Sequence, residues 1–317
     1  MGKMAVIAVG GNAILEADET GSAEAQLENI RITCSHIANM IKKDFTVVIT
    51  HGNGPQVGNI LLRNDIAEGI APVMPMDVCV AESQGQIGYM IQQTLLNELK
   101  KIGIKARVTS LITQVVVDPN DDAFENPTKP IGPYYPESEA ERLARKKGWT
   151  MMEDVARQGF RRVVPSPEPK EIVECETIKR LVQGEDDRNI IIAAGGGGVP
   201  VIKTEQGLIG AEAVVDKDFA SSVLATSINA DMLIMLTDVP CVAINFGKSQ
   251  QEYLSHMTVA EATKYLKEGH FPPGSMGPKI VSAINFLENG GNEVIITTPE
   301  NLEEAMDQKK GTRMVLG

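Results

Sequence analysis

The chain has 317 residues, enough to bury a sizeable core in one large α/β domain or two smaller ones. Its 30 Lys and Arg against 42 Asp and Glu leave a net charge of −12, which argues against wide nucleic-acid binding and against a polybasic membrane patch. Four dispersed cysteines without a CxxC pair read as reduced, mostly buried thiols, and four scattered histidines give no zinc spacing. No apolar run approaches the ~20 residues of a membrane span, and strand-like sequence begins close to Met1, so a soluble cytoplasmic protein is expected.

In chain order, the first predicted element is a strand over Val6–Val9 that stops at Gly10-Gly11-Asn12. Apolar residues at helical spacing, including Leu27, Ile30, Ile37 and Ile41, predict a helix over Ala23–Ile41. A second strand, Val47–His51, stops at Gly52-Asn53-Gly54, and Pro55 sits near the start of the helix after it. One or two helices follow over Met76–Lys100, then strand-rich sequence over Val108–Val117. Residues 119–169 hold eight of the 17 prolines, with Tyr134, Tyr135 and Trp149. That much proline prevents long helices and interior strands. The stretch is either a plain surface excursion covering the sheet or a protruding subdomain or lid.

From Ile190 the pattern restarts with a strand to Ala194, the tetraglycine Gly195–Gly198 and a strand over Val199–Ile202. A helix opened by Asp216-Lys217-Asp218, a strand over Met232–Leu236, helices near Thr258–Leu266 and after Gly277, and a strand over Val294–Thr297 complete it. Such alternation predicts an open, mainly parallel sheet with helices on both faces, a three-layer α/β/α arrangement.

Three β-branched strands therefore end in glycine, where bare backbone N–H groups and a following helix N-terminus favour an anion. Each segment alone is most simply a tight turn; three at the ends of parallel strands favour a bound phosphorylated anion. No GxxxxGK[ST] occurs, and in Gly52–Gly58 the third glycine comes one residue late for a dinucleotide fingerprint. Three lysines sit in unusual places: Lys129 between two prolines, Lys217 between two aspartates at a helix start, and Lys279 at another helix entrance. A cation there is unfavourable unless an anionic ligand or a carboxylate balances it. Asp216 or Asp218 is expected to cap its helix.

The segments Val-Gly-Gly-Asn-Ala (9–13), His-Gly-Asn-Gly-Pro-Gln-Val-Gly (51–58), Asn-Pro-Thr-Lys-Pro-Ile-Gly (126–132), Val-Val-Pro-Ser-Pro (163–167), Gly-Gly-Gly-Gly-Val-Pro-Val (195–201), Asp-Lys-Asp (216–218), Leu-Thr-Asp-Val (236–239) and Gly-Ser-Met-Gly-Pro-Lys (274–279) carry a family likeness. Over essentially its whole length the chain resembles the carbamate kinases, within the amino-acid kinase fold family. Ala156 and Phe160 depart from the pattern, which has glycine and tryptophan there. The resemblance implies phosphoryl transfer between ATP and carbamate, giving ADP and carbamoyl phosphate, with Mg²⁺ held through the nucleotide phosphates. It also implies a homodimer and a role in making ATP from carbamoyl phosphate during arginine catabolism.

It further implies an acceptor lobe over 1–187, with a protruding subdomain at about 119–169, and a nucleotide lobe over 188–317 opened by the tetraglycine. Gly10, Gly11, Asn12, Gly52, Asn53 and Gly54 would hold carbamate and the transferring phosphoryl group. Lys129 would reach in from the subdomain, Lys217 and Lys279 would neutralise phosphate oxygens, and Asp218 would orient the lysines. Asp238, Phe246 and Met276 would lie about the nucleotide, although by sequence alone Phe246 reads as core. Two rivals stay open: a kinase of another acid, such as an N-acetylated amino acid, and a catalytically silent sensor of carbamoyl phosphate or nucleotide.

Overall fold

The computed structural model describes residues 2–11, 13–15, 21–154, 159–184, 188–272 and 274–317. Asn12 and Ala156, both singled out by the sequence, lie outside the described residues. The first half of the chain forms β1 (Met4–Val9), α1 (Ala23–Lys42), β2 (Thr46–His51), α2 (Gly54–Ile66), α3 (Met76–Lys101), β3 (Arg107–Ser110) and β4 (Gln114–Val117). The stretch Met76–Lys101 is one helix of 26 residues rather than two. Next come β5 (Lys129–Tyr135), α4 (Glu137–Lys147), β6 (Thr150–Asp154), β7 (Gly159–Val164), β8 (Pro169–Ile172) and α5 (Cys175–Val182). They lead to β9 (Asn189–Ile192), β10 (Val199–Thr204), β11 (Gly207–Gly210), α6 (Lys217–Ser227) and β12 (Met232–Leu236). The chain ends through β13 (Val242–Ile244), β14 (Glu252–Leu254), β15 (His256–Thr258), α7 (Val259–Lys267), α8 (Met276–Glu288), β16 (Glu293–Thr297), α9 (Leu302–Met306) and β17 (Thr312–Val315).

Eight strands make the main sheet in the order β15-β17-β16-β12-β1-β2-β9-β3, and only the β16–β17 pairing is antiparallel. β1 is central and wholly apolar: Ala5, Val6, Ile7 and Ala8 are 0% exposed. Its side chains alternate between the two faces, as a strand must. Val6 and Ala8 join a core built with α5, α6, α7 and α8, while Ala5, Ile7 and Val9 join one built with α1, α3 and α9. Each fully buried Val or Ile contributes ~1.5–3 kcal/mol relative to exposure, so a strand buried on both faces fixes the register of the sheet. The helices supply matching apolar stripes and local stops. Ser22 caps α1, and Thr258 with Glu261 closes a capping box at α7.

The three glycine-ended strands β1, β2 and β9 lie side by side. β9, immediately past the expected lobe boundary at 187/188, pairs with β2 and β3, so the sheet does not part there. The tetraglycine is also not an open cradle. Ala194, Gly196, Gly197 and Gly198 all have positive φ, and Gly195, Gly196 and Gly197 are buried. A Cβ on Gly195 would lie 2.4 Å from His51 Nε2, and one on Gly196 would lie 2.2 Å from Asn53 Nδ2. Glycine is required there by backbone conformation and close packing. The segment presses on the second glycine turn.

The proline-rich stretch contains regular structure of its own, a three-stranded sheet in the order β5-β7-β6 beside α4. Pro130 and Pro133 fall on the edge strand β5, where a missing N–H costs no ladder bond, and the inner strand β7 has none. Phe160 sits half-buried on β7 opposite Tyr135 and Glu153. The subdomain seats on α2 at Gly58, where an added Cβ would meet Gly132 Cα at 2.2 Å. Of the cysteines, Cys34 and Cys79 are buried and Cys175 and Cys241 half-buried, and all four are free thiols. No helix among the described residues is long and apolar enough to cross a membrane.

Candidate active site

The C-terminal ends of β1, β12 and β16, neighbours in the sheet, open on a cavity of about 600 Å³. From β1 the chain crosses to β2 on one side and returns to β12 on the other, so the cavity sits at a topological switch point. Gly10 and Gly11 line it from β1, Thr237 and Asp238 from β12, and Thr298 to Glu300 from β16. Gly274, Ser275 and Lys279 line it from the entrance of α8, and Lys217 from the entrance of α6.

At the N-terminus of α6, Asp216 is the cap, its Oδ1 accepting the Asp218 N–H at 2.9 Å. Lys217 Nζ donates to Asp218 Oδ1 at 2.5 Å, and Lys279 Nζ donates to Asp218 Oδ2 at 3.1 Å. The Asp218 side chain is only 5% exposed, and those of Lys217 and Lys279 are 11% and 13% exposed. Lys129, at the start of β5, reaches across from the subdomain and donates to Asp216 Oδ2 at 2.5 Å. Gly52 closes the arrangement, because a Cβ there would lie 3.3 Å from Lys217 Cδ and 3.4 Å from the Gly11 nitrogen. Two glycine turns, three lysines and two aspartates from five separated segments thus converge at one sheet edge.

The sequence model of the Amino acid kinase family matches residues 3–298. The chain belongs to the amino acid kinase family. It is 51% identical to a protein named carbamate kinase from Pyrococcus furiosus, over 99% of this chain and 100% of that one. It is 47% identical to the carbamate kinase-like protein YahI of Escherichia coli, over 99% of each chain. Among solved structures, carbamate kinase from Giardia lamblia bound to AMP-PNP superposes with a TM-score of 0.91 at 43% identity, covering 100% of this chain and 99% of that one.

The charges of this amino acid kinase site are set by burial and pairing together. Burial alone would raise the Asp218 carboxyl, but the Lys217 and Lys279 ammonium groups outweigh it and hold it well below the usual carboxylate range. For Lys217 burial prevails and lowers its pKa against the pull of Asp218. For Lys279 burial is outweighed by Asp218, and its pKa rises. Three lysines face the carboxylates of Asp216 and Asp218, with Asp238 also within electrostatic reach of Lys279, and the positive end of α6 adds to the lysines' side. An arriving phosphate would add hydrogen-bond acceptors and favour the charged form of Lys217. His51 is not an acid–base group near neutral pH. It is buried, which lowers its pKa to about 4, and its Nδ1 lies 3.0 Å from the Gly52 carbonyl oxygen.

Of the residues singled out by sequence, Gly10, Gly11, Lys217, Asp238 and Lys279 line the cavity. Gly52 and Asp218 stand behind that lining, and Lys129 is tied to it through Asp216. Asn53 is buried, with its Nδ2 donating to Ser83 Oγ at 2.8 Å, and Gly54 begins α2 beside it. Met276 opens α8 and packs on the core. Phe246 is 60% exposed, which corrects the reading of it as core. It projects from the loop between β13 and β14 because Asn245 and Gly247, on either side, both turn through positive φ. Sequence reasoning missed Thr237 and Thr298–Glu300, although both follow strands that end at the edge already flagged by glycine. Asn29 and Thr33, from one face of α1, carried no such signal.

Proposed function

We propose that this protein is a carbamate kinase, transferring the γ-phosphoryl group of ATP to carbamate and, in reverse, making ATP from carbamoyl phosphate. The observation that carries this is the paired-lysine carboxylate, Lys217–Asp218–Lys279, beside a cavity shared by the Gly10-Gly11 turn and the 237–238 and 274–279 segments. In the forward direction a carbamate oxygen forms the new bond to phosphorus, the bridging β–γ P–O bond breaks, and ADP leaves with that electron pair. The attacking oxygen is already anionic, so no general base is needed. Catalysis then reduces to aligning two anions and neutralising charge on the phosphoryl group. Buried ammonium groups and glycine N–H groups suit that task, and a neutral, buried His51 is consistent with it.

Carbamate would bind over the turns after β1 and β2, with nucleotide held by Lys217, Lys279, Asp238, Met276 and the exposed Phe246. In that reading the acceptor lobe spans 1–187 and the nucleotide lobe 188–317, with β9 and the tetraglycine packed on the acceptor half. Among the described residues no group of three or more His, Cys, Asp or Glu is placed to hold a metal ion. The two cluster carboxylates are committed to lysines, a donor set that suits Mg²⁺ arriving on the nucleotide phosphates, where it would neutralise oxygen charge. A place in arginine catabolism, supplying ATP from carbamoyl phosphate in the cytoplasm, belongs to the same proposal. So does a homodimer, for which the exposed face of α3 carrying Val78, Tyr89 and Leu96 among Glu82 and Gln93 is the surface to test. Sedimentation is expected to give a dimer for the unmodified chain and a monomer for Leu96→Glu; a monomeric unmodified chain would refute it.

The test is ATP formation from ADP and carbamoyl phosphate, run beside acetyl phosphate. Carbamoyl phosphate should be strongly preferred, and absence of ATP would remove the enzyme reading. Its KM should lie far below that of carbamate, since a ceiling of ~1.5 kcal/mol per heavy atom leaves a four-atom anion little affinity. Equal constants, after correction for free carbamate, would sink that expectation. The kinase-like name of the Escherichia coli relative favours one second reading, a kinase of another acid, which acetyl phosphate or N-acetylated acceptors would expose.

A further inference from the structure

Asp216 reads from the sequence as a helix cap, yet a cap needs only one oxygen. In the structure its two oxygens are divided. Oδ1 accepts the Asp218 N–H at 2.9 Å, and Oδ2 receives the Lys129 ammonium at 2.5 Å. The two partners lie 87 residues apart in sequence for Lys129 and two for Asp218. One carboxylate therefore ties the protruding subdomain to the start of the helix that carries Lys217 and Asp218.

We propose that Asp216 is a positioning residue that holds the Lys129 ammonium over the N-terminus of α6 and seats the subdomain over the phosphoryl-transfer site. The proposal rests on the kinase reading above. A lysine has four rotatable side-chain bonds and carries about 2 kcal/mol of rotamer entropy, so an unpaired Lys129 would sample many positions. Asp216 selects one of them. Asp216 is itself tied at two points, since its Oδ1 and its carbonyl both bond within the first turn of α6; the Ala220 N–H reaches that carbonyl at 3.1 Å. Lys129 also starts the edge strand β5, which is held to its own sheet only by β7. Further along, β5 packs on α2 through Gly132 and through Ile131, which is buried with Val57 and Ile60; at its first residue the Lys129–Asp216 pair ties it to the start of α6.

The charge of Asp216 supplies a second line of argument. A carboxylate beside a phosphate site repels the ligand, so for binding alone Asn or Ser, equally good caps, would serve better. Retaining a charge there is useful if the charge aims a cation. Removing it should leave anion binding intact or tighter while slowing the transfer.

The experiment compares Asp216→Asn and Asp216→Ser, which both keep a capping oxygen, in the unmodified chain and in a Lys129→Met background. With carbamoyl phosphate and ADP, kcat is expected to fall tenfold or more in both variants with KM unchanged or lower, because small misplacements of a reacting group are costly. In the Lys129→Met background the same substitutions should change kcat less than twofold, since the cation they position is gone. Hydrogen exchange over 129–135 should quicken in both variants, with α6 unchanged. A kcat within twofold of the unmodified enzyme would overturn the proposal. So would an equal loss in the Lys129→Met background, or faster exchange in α6, which would mark Asp216 as a cap alone. If the unmodified chain made no ATP the kinase reading would fall, whereas the exchange measurement would still decide whether Asp216 seats the subdomain.

Discussion

Replacing Lys217 with Met is expected to lower ATP formation from carbamoyl phosphate by a factor of ~10²–10³ while leaving the fold intact. Met keeps most of the apolar stem that packs against Gly52, and removes only the ammonium that Asp218 aims at the cavity. Burial opposes the charge of both Lys217 and Lys279 but prevails over pairing only at Lys217, so its charged form gains most when a phosphate arrives. That differential gain is the kind of interaction that speeds a phosphoryl transfer, because it strengthens as charge develops. A fall in kcat with unchanged circular dichroism at a temperature and pH where the variant is fully folded would meet the expectation, although loss of an Asp218 partner should also lower stability. Undiminished turnover would remove Lys217 from the catalytic set.

Asp218→Asn should have the largest effect on stability. The carboxylate is enclosed between two ammonium groups, and removing one partner of such a buried network costs about 3–5 kcal/mol. The pH dependence has a definite sign. The folded-state pKa of Asp218 lies below its unfolded value, so its contribution is complete above that unfolded value and is lost as pH falls. The unmodified protein should therefore weaken from about pH 5 downward, and the Asn variant should lack that part of the acid slope. Inorganic phosphate should return part of the lost stability to the variant by supplying the missing negative charge, an increment that grows with its concentration. Urea unfolding at several pH values with and without phosphate measures both effects. Equal stability of the two proteins at neutral pH would show that the network is solvated rather than buried.

Much of the architecture was legible because strands buried on both faces must be written in apolar residues. Val6–Val9, Val47–His51, Ile190–Ala194 (ending at Ile192), Met232–Leu236 and Val294–Thr297 all proved to be strands of one sheet, whereas Val199–Ile202 and the second half of Val108–Val117 pair in a separate four-stranded sheet. The lysines were legible for a different reason: Lys217 and Lys279 stand at helix entrances where the dipole disfavours them, so their presence demanded a partner. Asp218 is that partner. Less could be read from Phe246, since aromatic residues are usually buried and only the positive-φ turns around it expose it.

The local grammar of strands, caps and glycine turns was thus determined by the sequence alone, because it depends on residues within a few positions of one another. Which partners meet was decided by tertiary structure. The tetraglycine packs against His51 and Asn53, and Lys129 meets Asp216 across 87 intervening steps of chain. Such contacts follow from sheet order and from where the subdomain seats on α2. Sheet order is fixed by the summed burial of all strands, a quantity that no single segment carries.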